Sequence, residues 1–448
     1  MLKQIIITLF IIFCSLVSFQ GAQEGIEKAL ASLPRSTKIS VSVYDPEANK
    51  TIFEHNKDIL LKPASNIKIF TTAASLLSLG KDYNAEFCIY YDKGKINKGI
   101  LEDNIYIKGY GNALITQKDL PALAGKIKKA GIKEITGRII YDNTFFPKKM
   151  PVKNFSSSLS PIDLPAVSPI SVNNNIIELI GVNENGNIKY ISSLVSKYVS
   201  VSYLSTPGNW KRRIRLNESP DGYRIEINSA KQETAGNKLY VFTKSPELLA
   251  SLLLKEEMEK LDIKIAGNPA AGTVNTDNKE KFSLFTPLSE IIEDINKNSS
   301  NFLAETLSSI LRSRKAPGIL SSLGIDEKGL IIADASGISA DNRTTAHSII
   351  KALNLIGGRK DVSVIFKNSL SIAGIDGTLK TRFALSPLKN NFSGKTGFMA
   401  GTSSISGYMK TSRGKELIVA IIINYKEKGI DFYRRVEQEI LEWLYKKY

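Results

Sequence analysis

Pro63-Ala64-Ser65-Asn66-Ile67-Lys68 is the stretch that decides the interpretation of this chain. It opens a segment in which apolar residues recur at helical spacing, and Gly80 ends that segment. The pattern predicts a helix that begins beside Ser65. Residues 65 and 68 then share one helix face, so a hydroxyl and an amine come within reach of each other. A lysine whose pKa is lowered by burial can act as the base for such a serine.

Two further short motifs supply groups that an activated serine needs. Ser299-Ser300-Asn301 offers a hydroxyl and an amide, which can relay a proton and hold the lysine in place. Lys395-Thr396-Gly397 offers a cation beside a hydroxyl, a combination that binds a terminal carboxylate, and a glycine that lets substrate backbone approach. Taken alone, each motif has a simpler interpretation, namely a solvated helix surface, a helix N-cap and a solvated strand end, respectively.

The flanking sequence predicts a sheet and helices on both sides of a long middle region. Alternating apolar residues from Ile39 to Val43, a turn over 45–49 and a second strand at Thr51–Phe53 indicate a hairpin. The last third predicts longer elements: an amphipathic helix from Leu288 to about Leu311, a hairpin including Ser403–Met409, a buried strand Glu416–Asn424 and a closing helix Asp431–Tyr445. Between about Asn84 and Lys281, short strands, a helix and polar loops indicate an inserted α+β region.

Composition restricts the possible chemistry. With 448 residues, 42% hydrophobic and 23% charged, the chain is typical of a folded globular protein. Its net charge of +16 favours anionic surroundings. No basic or aromatic nucleic-acid motif accompanies the charge, so we expect no nucleic-acid partner. Two histidines (His55 and His347) and two cysteines (Cys14 and Cys88) cannot form a Cys/His-rich zinc site, and we expect neither a metal nor a cofactor.

The N-terminus predicts export. Lys3 precedes an apolar run from Ile5 to Phe19, which is shorter than the roughly 20 residues that span a bilayer as a helix. We expect a signal peptide over 1–22 and a mature protein in the periplasm or the extracellular cell-wall space, with at most peripheral membrane association. A lipoprotein signal at Cys14 is disfavoured, because the preceding Phe13 is bulky where a small residue is needed.

In this order the three motifs resemble those of the active-site serine penicillin-recognising enzymes, with Ser300 in place of the usual Asp. More specifically, the chain resembles the D-Ala-D-Ala carboxypeptidase/endopeptidase family, the class C low-molecular-mass penicillin-binding proteins. The resemblance covers most of the mature chain. Besides the three motifs it includes the segments Ile135-Thr136-Gly137 to Asp142, Ser168-Pro169-Ile170-Ser171-Val172-Asn173, Asp334-Ala335-Ser336-Gly337-Ile338-Ser339 and Gly374-Ile375-Asp376-Gly377-Thr378-Leu379.

The resemblance implies an α+β fold. A β-lactamase/transpeptidase-like domain, an antiparallel sheet flanked by helices, would form from both ends of the chain, with a large inserted α+β accessory region. The expected boundaries are a signal peptide 1–22, the first part of the transpeptidase-like domain 23–83, the insertion 84–281 and the second part 282–448. More than two hundred residues separate Ser65 from Ser299, and the family is known for large insertions at this place.

The resemblance also implies a serine-type D-alanyl-D-alanine carboxypeptidase, and by the same chemistry an endopeptidase, that acts on peptidoglycan stem peptides ending in D-Ala-D-Ala and binds β-lactam antibiotics. Ser65 would be the acylated nucleophile and Lys68 the general base. Ser299 would pass a proton to the departing D-alanine, and Asn301 would orient substrate and lysine. Lys395 would bind the terminal carboxylate.

Substrate contacts are implied at four further positions: Thr396 on the carboxylate, Gly397 beside the substrate backbone, Phe398 and Asp142. The backbone N–H groups of residues 65 and 398 would form the oxyanion hole. Asp142 is a candidate contact to the third stem-peptide residue, with a structural turn as the alternative. Relatives that bind a diaminopimelate side chain there often have a basic and a polar residue where this chain has Ala340 and Ala400, which leaves the identity of that residue open.

Two other functions remain as alternatives. A β-lactamase would share acylation by penicillin, but it needs an additional deacylating carboxylate, as in a Glu-x-x-Leu-Asn pattern, which the sequence lacks. A catalytically silent binding protein would retain the fold without the reaction. The three intact motifs argue against the silent protein.

Overall fold

The computed structural model describes residues 25–147, 165–184, 187–203, 214–228, 234–326 and 328–448. The predicted signal peptide lies outside the described residues. The chain divides into two compact units. The first comprises the chain up to Asp82, Leu288–Leu311 and Ala316–Tyr448, and the second comprises Tyr83–Pro287 and Arg312–Lys315. None of the described helices is long and apolar enough to cross a membrane.

A six-stranded antiparallel sheet forms the centre of the first unit. In spatial order its strands are Lys50–His55, Lys38–Asp45, Glu416–Asn424, Thr402–Lys410, Phe392–Met399 and Ser371–Ile372. The predicted hairpins are confirmed. Strand Glu416–Asn424 pairs with the N-terminal strand Lys38–Asp45, and residues 417–423 are buried as predicted. The two ends of the chain therefore build a single sheet.

Helices cover both faces of this sheet. Besides a helical segment over 25–31, the helices of the first unit are Ile67–Leu79, Leu288–Lys297, Asn301–Ser313, Ile319–Leu323, Ala346–Gly358, Ser363–Ser369 and Ile430–Lys447. The closing helix Ile430–Lys447 shares an apolar core with odd-numbered strand residues such as Val41 and Val419. The alternate residue Ser40 faces the other way, and its hydroxyl accepts from the N–H of Ala346 at 3.3 Å.

The prediction of one continuous helix from Leu288 to about Leu311 is wrong. The first helix ends at Lys297, and a second helix begins at Asn301. Ser299 adopts a left-handed backbone conformation (φ 60°), which no α-helix can contain. The Ser300 hydroxyl accepts from the N–H of Leu303 at 3.3 Å and so helps to start the second helix. The interruption places Ser299 in a turn and Asn301 at the first position of the second helix.

In the part of the second unit that the structure describes, there are four sheets and two longer helices. A five-stranded mixed sheet contains Ala270–Ala271, Ile139–Asp142, Ile105–Gly109, Asn84–Tyr91 and Glu280–Pro287. A second sheet consists of four short strands, Lys264–Ile265, Glu134–Ile135, Ile100–Leu101 and Ile96–Asn97. A third sheet has three strands, Asn187–Ser192, Ile176–Glu184 and Lys238–Phe242. A fourth sheet also has three strands, Val199–Tyr203, Gly222–Ile227 and Ile214–Ser219. Helices Leu120–Lys129 and Pro246–Glu259 contribute to the apolar core of this unit.

A buried ion pair holds the closing helix to the sheet. The Glu437 carboxylate is completely buried, lies 2.9 Å from an Arg382 nitrogen and accepts from the Ser403 hydroxyl at 2.6 Å. Removing one partner of such a pair leaves the others without their hydrogen bonds in a place that water does not reach.

We therefore expect Glu437→Ala to lower the free energy of unfolding by about 2–4 kcal/mol. Chemical denaturation followed by circular dichroism measures the change. The exposed Glu439 on the same helix is the matched control, and Glu439→Ala should stay within about 0.5 kcal/mol of the unsubstituted protein. Equal effects of the two substitutions would contradict a structural role for the buried pair.

Candidate active site

Ser65 lies in a tight turn that leads directly into a helix. Residues Ala64–Asn66 form a single 3₁₀ turn, the Ser65 turn, and helix Ile67–Leu79 follows it. Ala64 has a φ of 47°, which is uncommon for a residue with a side chain. Lys68 stands one turn further along, and its Nζ lies 3.0 Å from Ser65 Oγ. The predicted pairing of hydroxyl and amine is therefore present.

Gly397 makes room for the Ser65 turn. A Cβ at this position would lie 2.5 Å from the carbonyl oxygen of Pro63 and 2.3 Å from Ser404 Oγ. The Ser404 hydroxyl donates to the same Pro63 carbonyl at 2.7 Å and accepts from Asn66 Nδ2 at 2.6 Å. The space that a side chain at Gly397 would need is thus filled by the chain's own turn, and the approach of substrate backbone to this residue stays a prediction. This close approach fixes strand Phe392–Met399, the Lys395 strand, beside Ser65.

Lys68 is fully buried among oxygen atoms. Its Nζ donates to Asn301 Oδ1 at 2.6 Å and also to the carbonyl oxygen of Ser336. Burial lowers the pKa of Lys68 to about 7, although the charges of Asp334 and Glu305 act in the opposite direction. Near neutral pH a substantial fraction of this amine is therefore uncharged and can accept the proton of Ser65.

The loop over 334–339, the Asp334 loop, aims a carbonyl at Lys68. The Asp334 carboxylate accepts from the N–H of Gly337 at 2.5 Å, the N–H of Ser336 at 3.1 Å and Asn342 Nδ2 at 2.9 Å. Sequence reasoning quoted this segment but assigned it no role in the site. The local sequence does indicate this turn, because an aspartate shortly before Ser-Gly is typical of a turn in which the carboxylate accepts from backbone N–H groups.

A second buried lysine completes the site. Lys395 is fully buried, and its Nζ lies 3.0 Å from Ser299 Oγ and 3.0 Å from the carbonyl oxygen of Thr396. Burial holds the pKa of Lys395 well below its usual value, and the nearby charge of Lys68 lowers it further. Ser299, in the turn between two helices, thus contacts one lysine, and Asn301, which begins the second helix, contacts the other.

Two threonine hydroxyls meet at the edge of the Lys395 strand. Thr396 is half-buried, and its hydroxyl donates to Thr378 Oγ1 at 2.8 Å. Sequence reasoning did not single out Thr378, because nothing in the local pattern shows that its segment lies against the Lys395 strand. The side chain of Phe398 is 57% exposed on the same strand.

Comparison with known proteins identifies the family. The model of the D-Ala-D-Ala carboxypeptidase 3 (S13) family matches residues 22–446. The chain belongs to this family. A D-alanyl-D-alanine carboxypeptidase of Actinomadura sp. is 25% identical over 417 residues, which cover 86% of this chain and 77% of that protein. Membership confirms the predicted family and the predicted enzyme class, a serine-type D-Ala-D-Ala carboxypeptidase.

Solved structures confirm the predicted α+β fold of this S13 family member. The crystal structure of penicillin-binding protein 4 from Haemophilus influenzae matches with a TM-score of 0.76 at 22% identity, covering 94% of this chain and 99% of that one. A predatory endopeptidase from Bdellovibrio bacteriovorus matches with a TM-score of 0.55 at 13% identity, covering 91% and 93%.

Asp142 belongs to the second unit of the S13 chain, and its own surroundings occupy its carboxylate. It accepts from the N–H of Thr144 at 2.9 Å and from the N–H of Val274 at 3.0 Å, and Lys108 Nζ lies 3.1 Å away. These bonds hold the pKa of Asp142 below its usual value, although burial alone would raise it. They favour the structural-turn alternative over a direct contact with substrate.

The low pKa of Lys68 predicts the pH dependence of this S13 enzyme. Only the neutral amine can take the Ser65 proton, so kcat/KM should rise with pH through about 7 and level off above it. One unit below that pKa we expect about a tenfold reduction. The measurement is D-alanine release from a pentapeptide across this range, with thermal denaturation as the control for folding. A value of kcat/KM that falls as the pH rises through neutrality would contradict Lys68 as the base.

The close contact of Gly337 with the backbone of the Ser65 turn predicts that a side chain at residue 337 would move Ser65. The φ of Gly337 is 87°, and a Cβ there would lie 2.1 Å from the carbonyl oxygen of Ala64 and 3.0 Å from the nitrogen of Ser65. We expect Gly337→Ala to displace the Ser65 turn and to slow acylation by a β-lactam about a hundredfold or more, which stopped-flow mass spectrometry can measure. Gly358→Ala is the matched control, because a Cβ there would meet nothing within 4 Å beyond its chain neighbours and the backbone of its own helix. Acylation of the Gly337 variant at the unsubstituted rate would show that the contact is not needed.

Proposed function

We propose that this chain removes the terminal D-alanine from peptidoglycan stem peptides through an acyl-enzyme on Ser65. The observation that carries the proposal is the 3.0 Å contact between Ser65 Oγ and the buried amine of Lys68, whose pKa is about 7. A serine with a neutral amine at hydrogen-bond distance is an activated nucleophile.

In the acylation step, Lys68 accepts the Ser65 proton while Ser65 Oγ attacks the carbonyl carbon of the penultimate D-alanine. The negative charge that develops on the carbonyl oxygen is stabilised by the backbone N–H groups of Ser65 and Phe398. The bond between Ser65 and the carbonyl carbon forms, and the peptide bond to the last D-alanine breaks. Asn301 holds Lys68 and orients the substrate.

The leaving amine needs a proton, and Ser299 relays to it the proton that Lys68 took from Ser65, so that Lys68 is neutral again and Ser299 keeps its hydroxyl. The Ser299 hydroxyl is hydrogen-bonded to Lys395 Nζ, and Asn301, two residues further along, contacts Lys68. Lys395 and Thr396 bind the carboxylate of the departing D-alanine, and that negative charge favours the protonated form of Lys395. Substrate binding thus opposes the effect of burial on this lysine.

Water then hydrolyses the ester and returns Ser65. When the leaving amine belongs to a second stem peptide instead of free D-alanine, the same steps cleave a crosslink, which is an endopeptidase reaction. β-Lactam antibiotics acylate Ser65 through their strained amide, with their carboxylate in the place of the terminal one. The site of action is the periplasm or the cell-wall space, after export directed by the N-terminal segment, with at most peripheral contact to the membrane and no nucleic acid as partner.

Mass spectrometry after incubation with benzylpenicillin, alongside an assay of D-alanine release, tests this proposal. We expect one stable adduct on Ser65, and Ser65→Ala should abolish both the adduct and the release. Ser78→Ala, on the helix that follows the Ser65 turn, is the matched control and should retain both.

Three other outcomes would overturn the proposal. Rapid turnover of penicillin without a stable adduct or D-alanine release would indicate a β-lactamase. Peptidoglycan binding by a folded protein without adduct or release would indicate a silent binding protein. Tight DNA binding that weakens with added salt would indicate a nucleic-acid partner.

A further inference from the structure

Three hydroxyl groups form a chain that leads away from the Lys395 strand. Thr396 donates to Thr378 Oγ1 at 2.8 Å, and Thr378 Oγ1 lies 3.3 Å from Ser371 Oγ. The Ser371 hydroxyl in turn donates to the carbonyl oxygen of Lys297 at 3.3 Å. The chain therefore ends at a fixed backbone acceptor at the end of helix Leu288–Lys297, just before the turn that carries Ser299.

The segment that carries Thr378 is held in place on several sides. Asp376 accepts from the N–H of Ile372 at 2.7 Å and lies 2.8 Å from Lys297 Nζ. Gly377 has a φ of 54°, and a Cβ there would lie 2.3 Å from Ser371 Oγ and 2.7 Å from the carbonyl oxygen of Lys297. The N–H of Thr378 donates to Ser371 Oγ at 3.2 Å. These contacts within the chain fix the position of Thr378, so no ligand is needed to hold it there.

A hydroxyl carries one proton, and this sets a condition on anion binding at Thr396. In the structure that proton points to Thr378. To bind a carboxylate, Thr396 must turn its proton to the ligand, which leaves a lone pair facing Thr378. The contact then survives only if Thr378 turns its own proton towards Thr396. Two positions along the Lys395 strand, Phe398 offers no side-chain hydrogen bond that could replace it.

We infer that Thr378 is a positioning residue for carboxylate recognition, whose hydroxyl accepts from Thr396 in this structure and donates to it when an anionic ligand is bound. The inference rests on the proposed function, in which Thr396 binds the terminal carboxylate of the peptide or of the β-lactam. Thr378 need not touch the ligand, because it acts by aiming the Thr396 proton.

The experiment compares Thr378→Val, which keeps the shape but has no hydroxyl, with Thr378→Ser, which keeps the hydroxyl. Each protein is assayed for D-alanine release and for acylation by benzylpenicillin and by its methyl ester, which lacks the carboxylate charge. Thr51→Val, an exposed position in the strand Lys50–His55, is the matched control, and thermal denaturation reports on folding.

For Thr378→Val we expect kcat/KM and the penicillin acylation rate to fall about tenfold, mainly through KM, the size of a lost hydrogen bond to a charged group. Acylation by the methyl ester should change less than about twofold, and Thr378→Ser should resemble the unsubstituted protein.

An equal loss with penicillin and with its ester would overturn the inference, because Thr378 would then support the whole site. Unchanged kcat/KM and acylation rates in Thr378→Val would also overturn the inference. A reduction in Thr378→Ser as large as that in Thr378→Val would overturn it as well. An unsubstituted protein that is folded but neither releases D-alanine nor reacts with penicillin would overturn the proposed function, and the inference with it.

Discussion

The exclusion of water from two lysine amines in one site is the constraint on which the rest of the first unit depends. Burial opposes the charged form of Lys68 and of Lys395, and the charge of Lys68 further disfavours the charged form of Lys395. Such groups are tolerated only where oxygen atoms surround them. The side chains of Ser65, Asn301 and Ser299 supply part of that shell, and backbone carbonyls supply the rest. The groups to which we assign catalytic roles are therefore also the groups that hydrogen-bond the buried amines.

This shell has to be assembled from segments that are far apart in sequence, and the backbone adapts to bring them together. Ala64 and Ser299 take left-handed conformations that their side chains disfavour, and Gly337 and Gly397 let other parts of the chain approach the Ser65 turn closely. The surrounding sheet and helices overdetermine these positions. In this unit the fold stabilises a strained arrangement because a relaxed one would not place Ser65 beside a neutral amine.

Most of the sheet and three of the site motifs could be predicted from sequence, because they depend on local periodicity and on residue types at short spacing. The strand Glu416–Asn424 is recognisable as a continuous apolar run, and Ser65 with Lys68 as a pair on one helix face. The break at Ser299 was overlooked because the amphipathic pattern continues on both sides of it, although the helix N-cap interpretation of Ser299-Ser300-Asn301 indicates a helix start at this place. The partners of Asp142 and the neighbour of Thr396 are long-range contacts, which no single segment encodes. The contact of Gly397 with the Ser65 turn is long-range for the same reason.

The pairing of strand Lys38–Asp45 with strand Glu416–Asn424 has a consequence for how the protein matures. These partners stand at opposite ends of the chain, so the loop that their contact closes includes the whole second unit. The second unit is almost continuous in sequence and can form while synthesis proceeds, whereas the sheet of the first unit must wait for residues 416–424. The surroundings of Ser65, the proposed nucleophile, are therefore completed only when nearly all of the polypeptide has been made.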